Sequence, residues 1–289
     1  MIHAGLAGRL TPSILAALGL AALGLSACAG SPPPPPPPAP AATPAPPPPA
    51  PPPPAADPTV APISTIAPPA SVHPAEPPSP CPEGMALIPG GEYVFGVLKE
   101  KVTIKPFCLD VNETTADGYA ACVKAGKCDG GYTTVCDPST YSKEGRGKLA
   151  MVCVDFPQAE KYCAAQDKRL SSTEEWEWAA RGASATREHP WGEGDLGDQL
   201  CWSGKSKREL PCEVGSFPKG DSPQGVHDLL GGVFEWTTTK NDASTANRIV
   251  HGGSWKDGDK PLFGVARQGA FKTTYRCGFV GIRCARAVP

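Results

Sequence analysis

Residues 168–182 read Lys-Arg-Leu-Ser-Ser-Thr-Glu-Glu-Trp-Glu-Trp-Ala-Ala-Arg-Gly, and this stretch carries its own start and stop signals. Ser172 is a helix N-cap residue, and Glu175 three positions later completes a capping box. Gly182 supplies the left-handed residue that ends a helix. The spacing predicts a helix over 172–181 with two tryptophans on it. Working outward, 157–166 reads as a second short helix. Residues 115–125 read as a third, with Thr114 or Thr115 as cap and Gly126 as stop. Further upstream, MALIPGGEYVF (85–95) and VTIKPFCL (102–109) read as strands around a tight connection. Downstream of Gly182 only short strands and loops are expected. Residues 81–289 are rich in Gly and Trp, poor in long periodic helices, and of a size for one large domain.

The segment before this domain cannot build a core. Residues 31–80 hold 25 of the chain's 37 prolines, interspersed with Ala, Thr and Ser. Polyproline II is the natural state of such a sequence. At about 3.1 Å per residue it spans roughly 150 Å as a semi-rigid spacer. Before it stands a secretory leader: Arg9, then the apolar run ILAALGLAALGL (14–25), too short to cross a bilayer. The leader ends in Leu25-Ser26-Ala27-Cys28, the pattern of a bacterial lipobox with Cys28 as the lipidated residue. Ala29 in place of Asp points to the outer membrane. The expected organisation is a lipoprotein signal peptide (1–27), a lipidated Cys and Pro-rich tether (28–80), and a folded domain (81–289). The partner this implies is a membrane, reached through the lipid anchor.

Composition agrees with export. The chain has 12 cysteines; setting Cys28 aside leaves an odd number, at a density suited to an oxidising compartment. The formal net charge of −2, with no Lys/Arg run, argues against nucleic acid as a partner. Cys122 and Cys128 flank a predicted helix end and form a plausible bridge. Cys136 with Cys153, and Cys81 with Cys108, are further candidate pairs, with Cys277 left over.

An ordered series of motifs resembles the formylglycine-generating enzyme (sulfatase-modifying factor) family. It runs from Ala86-Leu87-Ile88-Pro89-Gly90-Gly91 through Phe107-Cys108-Leu109-Asp110 and Glu113-Thr114-Thr115. It continues with the stretch quoted above, Pro190-Trp191-Gly192, and Gly225-Val226-His227-Asp228-Leu229-Leu230-Gly231-Gly232-Val233-Phe234-Glu235-Trp236. His251-Gly252-Gly253-Ser254-Trp255 and Gly281-Ile282-Arg283-Cys284 close it. The resemblance implies an α+β, irregular C-type-lectin-like fold with little regular secondary structure, stabilised by disulfides. It also implies a Cys163–Cys284 bridge. Five tryptophans, Trp176, Trp178, Trp191, Trp236 and Trp255, lie in these scaffold motifs and read as core.

The resemblance further implies a copper site, and here the chain departs from the family. Catalytic members hold Cu(I) on a Cys-x4-Cys pair just after Gly-Gly-Ser, because a soft ion favours thiolate. Residues 256–267 contain no cysteine, and Asp257 and Leu262 fall at the two thiol positions. Leu cannot ligate a metal and Asp is a hard ligand, so copper is not expected. A non-haem iron site would need two histidines and a carboxylate on one face; His189, His227 and His251 are far apart in sequence and read as loop residues. Calcium is the metal the resemblance favours. Asp228, Gly231, Val233 and Glu235 match the family's ligand positions, and hard oxygens in a turn suit that ion. Gly232, however, stands where the family has Asn. On the other reading of the same residues, Asp228 caps a turn and Glu235 pairs with a buried Arg. The family's second calcium loop is replaced by a segment bracketed by Cys201 and Cys212, a candidate bridge. Ser254, Trp255 and Arg267 would line the former active-site cleft and orient an extended peptide.

The expected function is a lipid-anchored module of this family without its copper chemistry, binding a peptide or an envelope protein or acting as a scaffold. The alternative is a divergent metal-dependent oxidase acting on a protein or peptide thiol. A third reading is a structural envelope protein whose purpose is the stand-off.

Overall fold

The signals around Ser172 act as read. In the computed structural model the Ser172 hydroxyl accepts a bond from the Glu175 N–H at 3.2 Å, and the Glu175 carboxylate accepts one from the Ser172 N–H at 2.9 Å. The helix between them covers Thr173–Ala180. Gly182 adopts φ +62°, and a Cβ there would lie 2.6 Å from Pro223, so glycine is needed for both conformation and space. Replacing Ser172 with Ala should cost about 1 kcal/mol, read as a lowered urea midpoint with an unchanged slope.

The described residues are 79–96, 100–131, 133–134, 136–204 and 207–288. The expected leader, Cys28 and the tether as far as residue 78 lie outside them. Among the described residues no helix is long and apolar enough to cross a membrane.

In chain order the elements are β1 (Met85–Ile88), β2 (Gly91–Phe95), β3 (Glu100–Ile104), β4 (Phe107–Asp110), α1 (Ala116–Lys124) and α2 (Phe156–Ala164). They continue with β5 (Arg169–Leu170), α3 (Thr173–Ala180), β6 (Phe234–Asn241), β7 (Ser244–His251), β8 (Gln268–Lys272), β9 (Val280–Gly281) and β10 (Cys284–Ala287). Thr115 rather than Thr114 caps α1, accepting from the Gly118 N–H at 3.0 Å. Helix α2 starts one residue earlier than expected, because Asp155 caps it and makes a capping box with Gln158. It also ends two residues before Gln166.

One sheet has the order β1-β4-β10-β5, which brings the last strand between the first two and the entry to α3. A second has the order β8-β7-β6-β9, and β2 and β3 form a separate hairpin. The sequence reading missed the length of β6 and β7. Each is eight residues, joined at Asn241 and Ser244. Their outer halves, TTKN and STAN, carry almost no apolar residues, so no alternation of apolar and polar residues marks them.

Two hydrophobic clusters form the core. One packs Ile88, Phe107 and Leu109 of the first sheet against Trp176 and Trp178 of α3. The other packs Tyr119 of α1 and Phe156 of α2 against Trp236, Val280 and Ile282. Trp176 and Trp236 are fully buried, and each such ring removes about 150–250 Å² from water.

Among the described residues five disulfides join Cys81–Cys108, Cys122–Cys128, Cys136–Cys153, Cys163–Cys284 and Cys201–Cys212. Cys277 stands outside these five and is buried in the second cluster. The Cys163–Cys284 bridge ties α2 to β10 across 121 residues of sequence. Loop closure of that size removes unfolded-chain entropy equivalent to roughly 4–5 kcal/mol. That constraint matters in a domain with so little regular structure.

Candidate functional site

The segment expected to carry chemistry follows β7. Gly252 and Gly253 take φ +101° and +72°, and the ring of Phe263 occupies the space where a Cβ on Gly253 would be, at 2.7 Å. The turn then closes on itself. The Ser254 N–H and hydroxyl both donate to the Asp257 carboxylate at 2.9 Å, and the Asp257 N–H returns a bond to the Ser254 carbonyl. Burial raises the Asp257 carboxyl above its ordinary range, and the two bonds from Ser254 oppose that rise.

A second loop clasps this turn. Ser203 donates from its N–H to the Asp257 carbonyl and from its hydroxyl to the Trp255 carbonyl, both at 2.9 Å. The Cys201–Cys212 bridge closes that loop. The Trp255 indole donates to the Gly278 carbonyl at 2.8 Å.

The consequence corrects an expectation. Ser254 and Trp255 are 1% and 3% exposed, so they do not line an open cleft. The carboxylate of Asp257 folds onto Ser254 and shuts the turn. Leu262 ends the short 3-10 turn Lys260–Leu262. Arg267 is exposed, and its charge acts on the Asp257 carboxyl.

The turn matched to calcium is organised around a guanidinium. Arg283 and Glu235 are each 1% exposed. Arg283 donates to Glu235 Oε1 at 2.9 Å, and to the carbonyls of Asp110 and His227 at 3.0 and 2.8 Å. Glu235 Oε2 accepts from the Trp176 indole at 2.6 Å. Asp228, at φ +54°, accepts from the Gly215 N–H through Oδ2 at 2.6 Å. Its buried Oδ1 has no hydrogen-bond partner among the described residues. Glu113, a residue the sequence reading did not single out, accepts from the Val233 N–H at 2.8 Å. A Cβ at Gly232 would lie 2.4 Å from a Glu113 oxygen, so Glu113 fills the space the missing Asn side chain would enter. Burial, reinforced by the charge of Asp228, pushes the Glu113 carboxyl well above its ordinary range despite Arg283.

Among the four matched positions Asp228 therefore offers one unpartnered carboxylate oxygen and Glu235 offers none. Calcium needs six to eight oxygens, and among the described residues no three His, Cys, Asp or Glu side chains converge as a metal-holding group. The side chains at these positions thus supply one free oxygen toward that number, and the remainder would fall to backbone carbonyls such as those of Gly231 and Val233.

The histidines are also held apart. His251 is fully buried, contacts the Thr173 hydroxyl and stacks on Trp176 with centroids 4.6 Å apart. Burial lowers its pKa to about 3. His227 pairs with Asp221 at 2.7 Å, and His189 lies flat on Trp191. No two of them share a partner.

Comparison with known proteins agrees with these motifs. The model of the sulfatase-modifying factor enzyme 1-like domain matches residues 71–288. An inactive C-alpha-formylglycine-generating enzyme 2 from Mus musculus is 26% identical over 230 residues, covering 60% of this chain and 74% of that protein. A hercynine oxygenase from Mycolicibacterium smegmatis is 32% identical over 126 residues, covering 35% of this chain and 29% of that protein. The solved structure of PvdO from Pseudomonas aeruginosa has a TM-score of 0.57 and 24% identity, covering 72% of this chain and 95% of that one. That likeness shows a shared fold.

Proposed function

The chain belongs to the sulfatase-modifying factor enzyme 1-like family, and on that premise we propose that it is a binding or scaffolding module without the copper-dependent oxidase chemistry. A lipid on Cys28 and the Pro-rich tether would hold it off an outer membrane. One observation carries the reading. The first copper position holds a carboxylate, Asp257, which is spent on Ser254 inside a closed turn, and the second holds a leucine. Neither offers a soft ligand. The relative from mouse is itself named inactive.

Because Ser254 and Trp255 are buried, a peptide partner would be gripped outside the inherited cleft. The alternative, a divergent metal-dependent oxidase, draws on the hercynine oxygenase relatives. The separate partners of the three histidines weigh against it.

The test uses the full-length chain with its disulfides intact. Copper(I) or iron(II), oxygen and a C-x-P-x-R peptide are added, and the peptide is followed by mass spectrometry. No conversion and no stoichiometric metal are expected. Formylglycine in the peptide would overturn the binding-module reading.

A further inference from the structure

We propose that strand β8 is a docking edge, and that its occupant is an extended segment of a partner protein bearing Asp or Glu, added as a fifth strand to the sheet β8-β7-β6-β9. The inference rests on the reading of this chain as a binding module, and it gives that module a surface and its partner a charge.

The strand order leaves β8 on the outside of its sheet. It is five residues long, whereas the other edges of the two four-stranded sheets, β1, β5 and β9, have four, two and two. The register decides which main-chain groups it leaves open. The Thr273 N–H bonds the Ala246 carbonyl at 3.0 Å. The continuous pairing of β8 with β7 sets Phe271 opposite Arg248 and Gly269 opposite Val250. Bonded pairs alternate along an antiparallel ladder, so the main-chain groups of Gln268, Ala270 and Lys272 turn away from β7. Those residues are exposed, and Gly269 and Phe271 between them are half-buried. The Lys272 carbonyl takes the Tyr275 N–H at 2.8 Å. The N–H and carbonyl of Gln268 and of Ala270, with the Lys272 N–H, form the row of donors and acceptors that an added strand needs. β8 contains no proline and its pairing with β7 no register shift, two devices that blunt free edges.

The edge carries charge of one sign. Residues 260–289 include six Lys and Arg and no Asp or Glu, in a chain of net charge −2. Arg283 is engaged by Glu235 and Arg276 by Asp155. Arg267 and Lys272 stand at the two ends of β8 and are exposed. The carboxylate near Arg267 is that of Asp257, already held by Ser254. A second copy of β8 would set two strands of the same sign edge to edge, where like charges repel. A strand bearing carboxylates meets opposite charge at both ends, and that complementarity selects the partner.

The floor beside the edge is aromatic. Phe271 stacks on Tyr275 with centroids 4.9 Å apart and meets Phe234 at 6.0 Å, and all three rings are half-buried. A Cβ built on Gly269 would lie 3.9 Å from Phe271 and 4.0 Å from Phe234. Glycine in a strand lets another backbone approach, and here it leaves the two rings open to a side chain of the added strand.

The experiment measures binding of the full-length chain, disulfides intact, to a short fluorescein-labelled peptide that alternates Glu with Val and Thr. The same sequence with Gln for Glu runs alongside it, as does the Glu peptide with alternate residues N-methylated, which removes the main-chain donors along one side. The Glu peptide should bind, more weakly as salt rises, and the other two should bind about tenfold more weakly or worse. Ala270→Pro removes one outward N–H and spares the β7 ladder, so it should weaken binding about tenfold. Lys272→Gln should do the same. Lys161→Gln, on the exposed side of α2, should bind as wild type. Thermal unfolding of each variant confirms an intact fold. Binding that N-methylation and Ala270→Pro both leave unchanged would overturn strand addition while the binding-module reading stands. A dimer in sedimentation that Ala270→Pro converts to monomer would make a second copy the occupant and overturn the acidic partner. No binding of the Glu peptide would overturn the inference outright, whereas the binding-module reading falls separately, on formylglycine formation.

Discussion

Arg283→Leu should lower the domain's stability at neutral pH by about 5 kcal/mol. Breaking one partner of a buried ion pair costs about 3–5 kcal/mol, against a total stability of about 5–15 kcal/mol for a typical domain. The cost belongs at the upper end here, because Arg283 serves three acceptors and faces three buried carboxylates. Without it Glu235 keeps only the Trp176 indole, and the carbonyls of Asp110 and His227 lose their donor. Asp228 and Glu113 lose the guanidinium that opposes their burial. Arg283→Lys keeps the charge but not the planar fork, so it should recover only part of the loss. Adding Glu235→Gln to a chain with Arg283→Met should also recover part, because no buried charge is then left unpaired at that position. Urea unfolding followed by tryptophan fluorescence reads all three, since Trp176 reports on the pair directly. A loss below about 1 kcal/mol in Arg283→Leu would show that the pair does not hold this turn together.

That cluster also shows how far the sequence could be read. Helix α3 was legible because its signals are local: Ser172, Glu175 and Gly182 lie within eleven residues and need nothing else. The irregular α+β fold was legible because the motifs occur in order. The length of β6 and β7 was not, since their outer halves are nearly all polar and show no alternation of apolar and polar residues. The placement of β10 between β4 and β5 is a long-range pairing that no local pattern encodes. At the site, the resemblance pointed to the turn after Gly252-Gly253 but could not tell that Asp257 would fold onto Ser254. Glu113 was named only as part of a motif, and its role at the site was missed because that role depends on Gly232, 119 positions away, lacking a side chain. The loop 184–195 was noted only for His189 and Pro190-Trp191-Gly192.

Acid should destabilise this protein in two stages, and His251 and Glu113 set the boundary between them. His251 is buried and neutral, with its pKa lowered from 6.5 to about 3. Burial is the main cause, and a backbone contact from Arg267 opposes it only in part. The unfolded chain binds that proton below pH 6.5 and the folded chain does not until about pH 3. Its contribution is therefore present above pH 6.5 and lost as pH falls toward 3, by about 4–5 kcal/mol in all. Glu113 acts in the opposite sense. Its folded pKa is raised well above 4.5, so the folded chain takes its proton first. Its contribution is complete below pH 4.5 and lost as pH rises through the folded value. Asp110, Asp228 and Asp257 act in the same sense from 3.8 upward, each raised by burial. Between pH 6.5 and 4.5 the gain from Glu113 opposes the loss from His251, so stability should fall less steeply there than below 4.5. Below 4.5 Glu113 is protonated in both states and offers nothing more, so the loss from His251 becomes steep. Two variants separate the contributions. His251→Gln, which keeps a hydrogen-bonding group beside Thr173, should remove the steep fall and let stability rise on mild acidification. Glu113→Gln should move the onset of the fall up to about pH 6.5. Urea midpoints taken from pH 3 to 8 measure the slopes whatever each substitution does to absolute stability. A His251→Gln chain that keeps the wild-type fall below pH 4.5 would mean that the acid sensitivity lies elsewhere than in this buried imidazole.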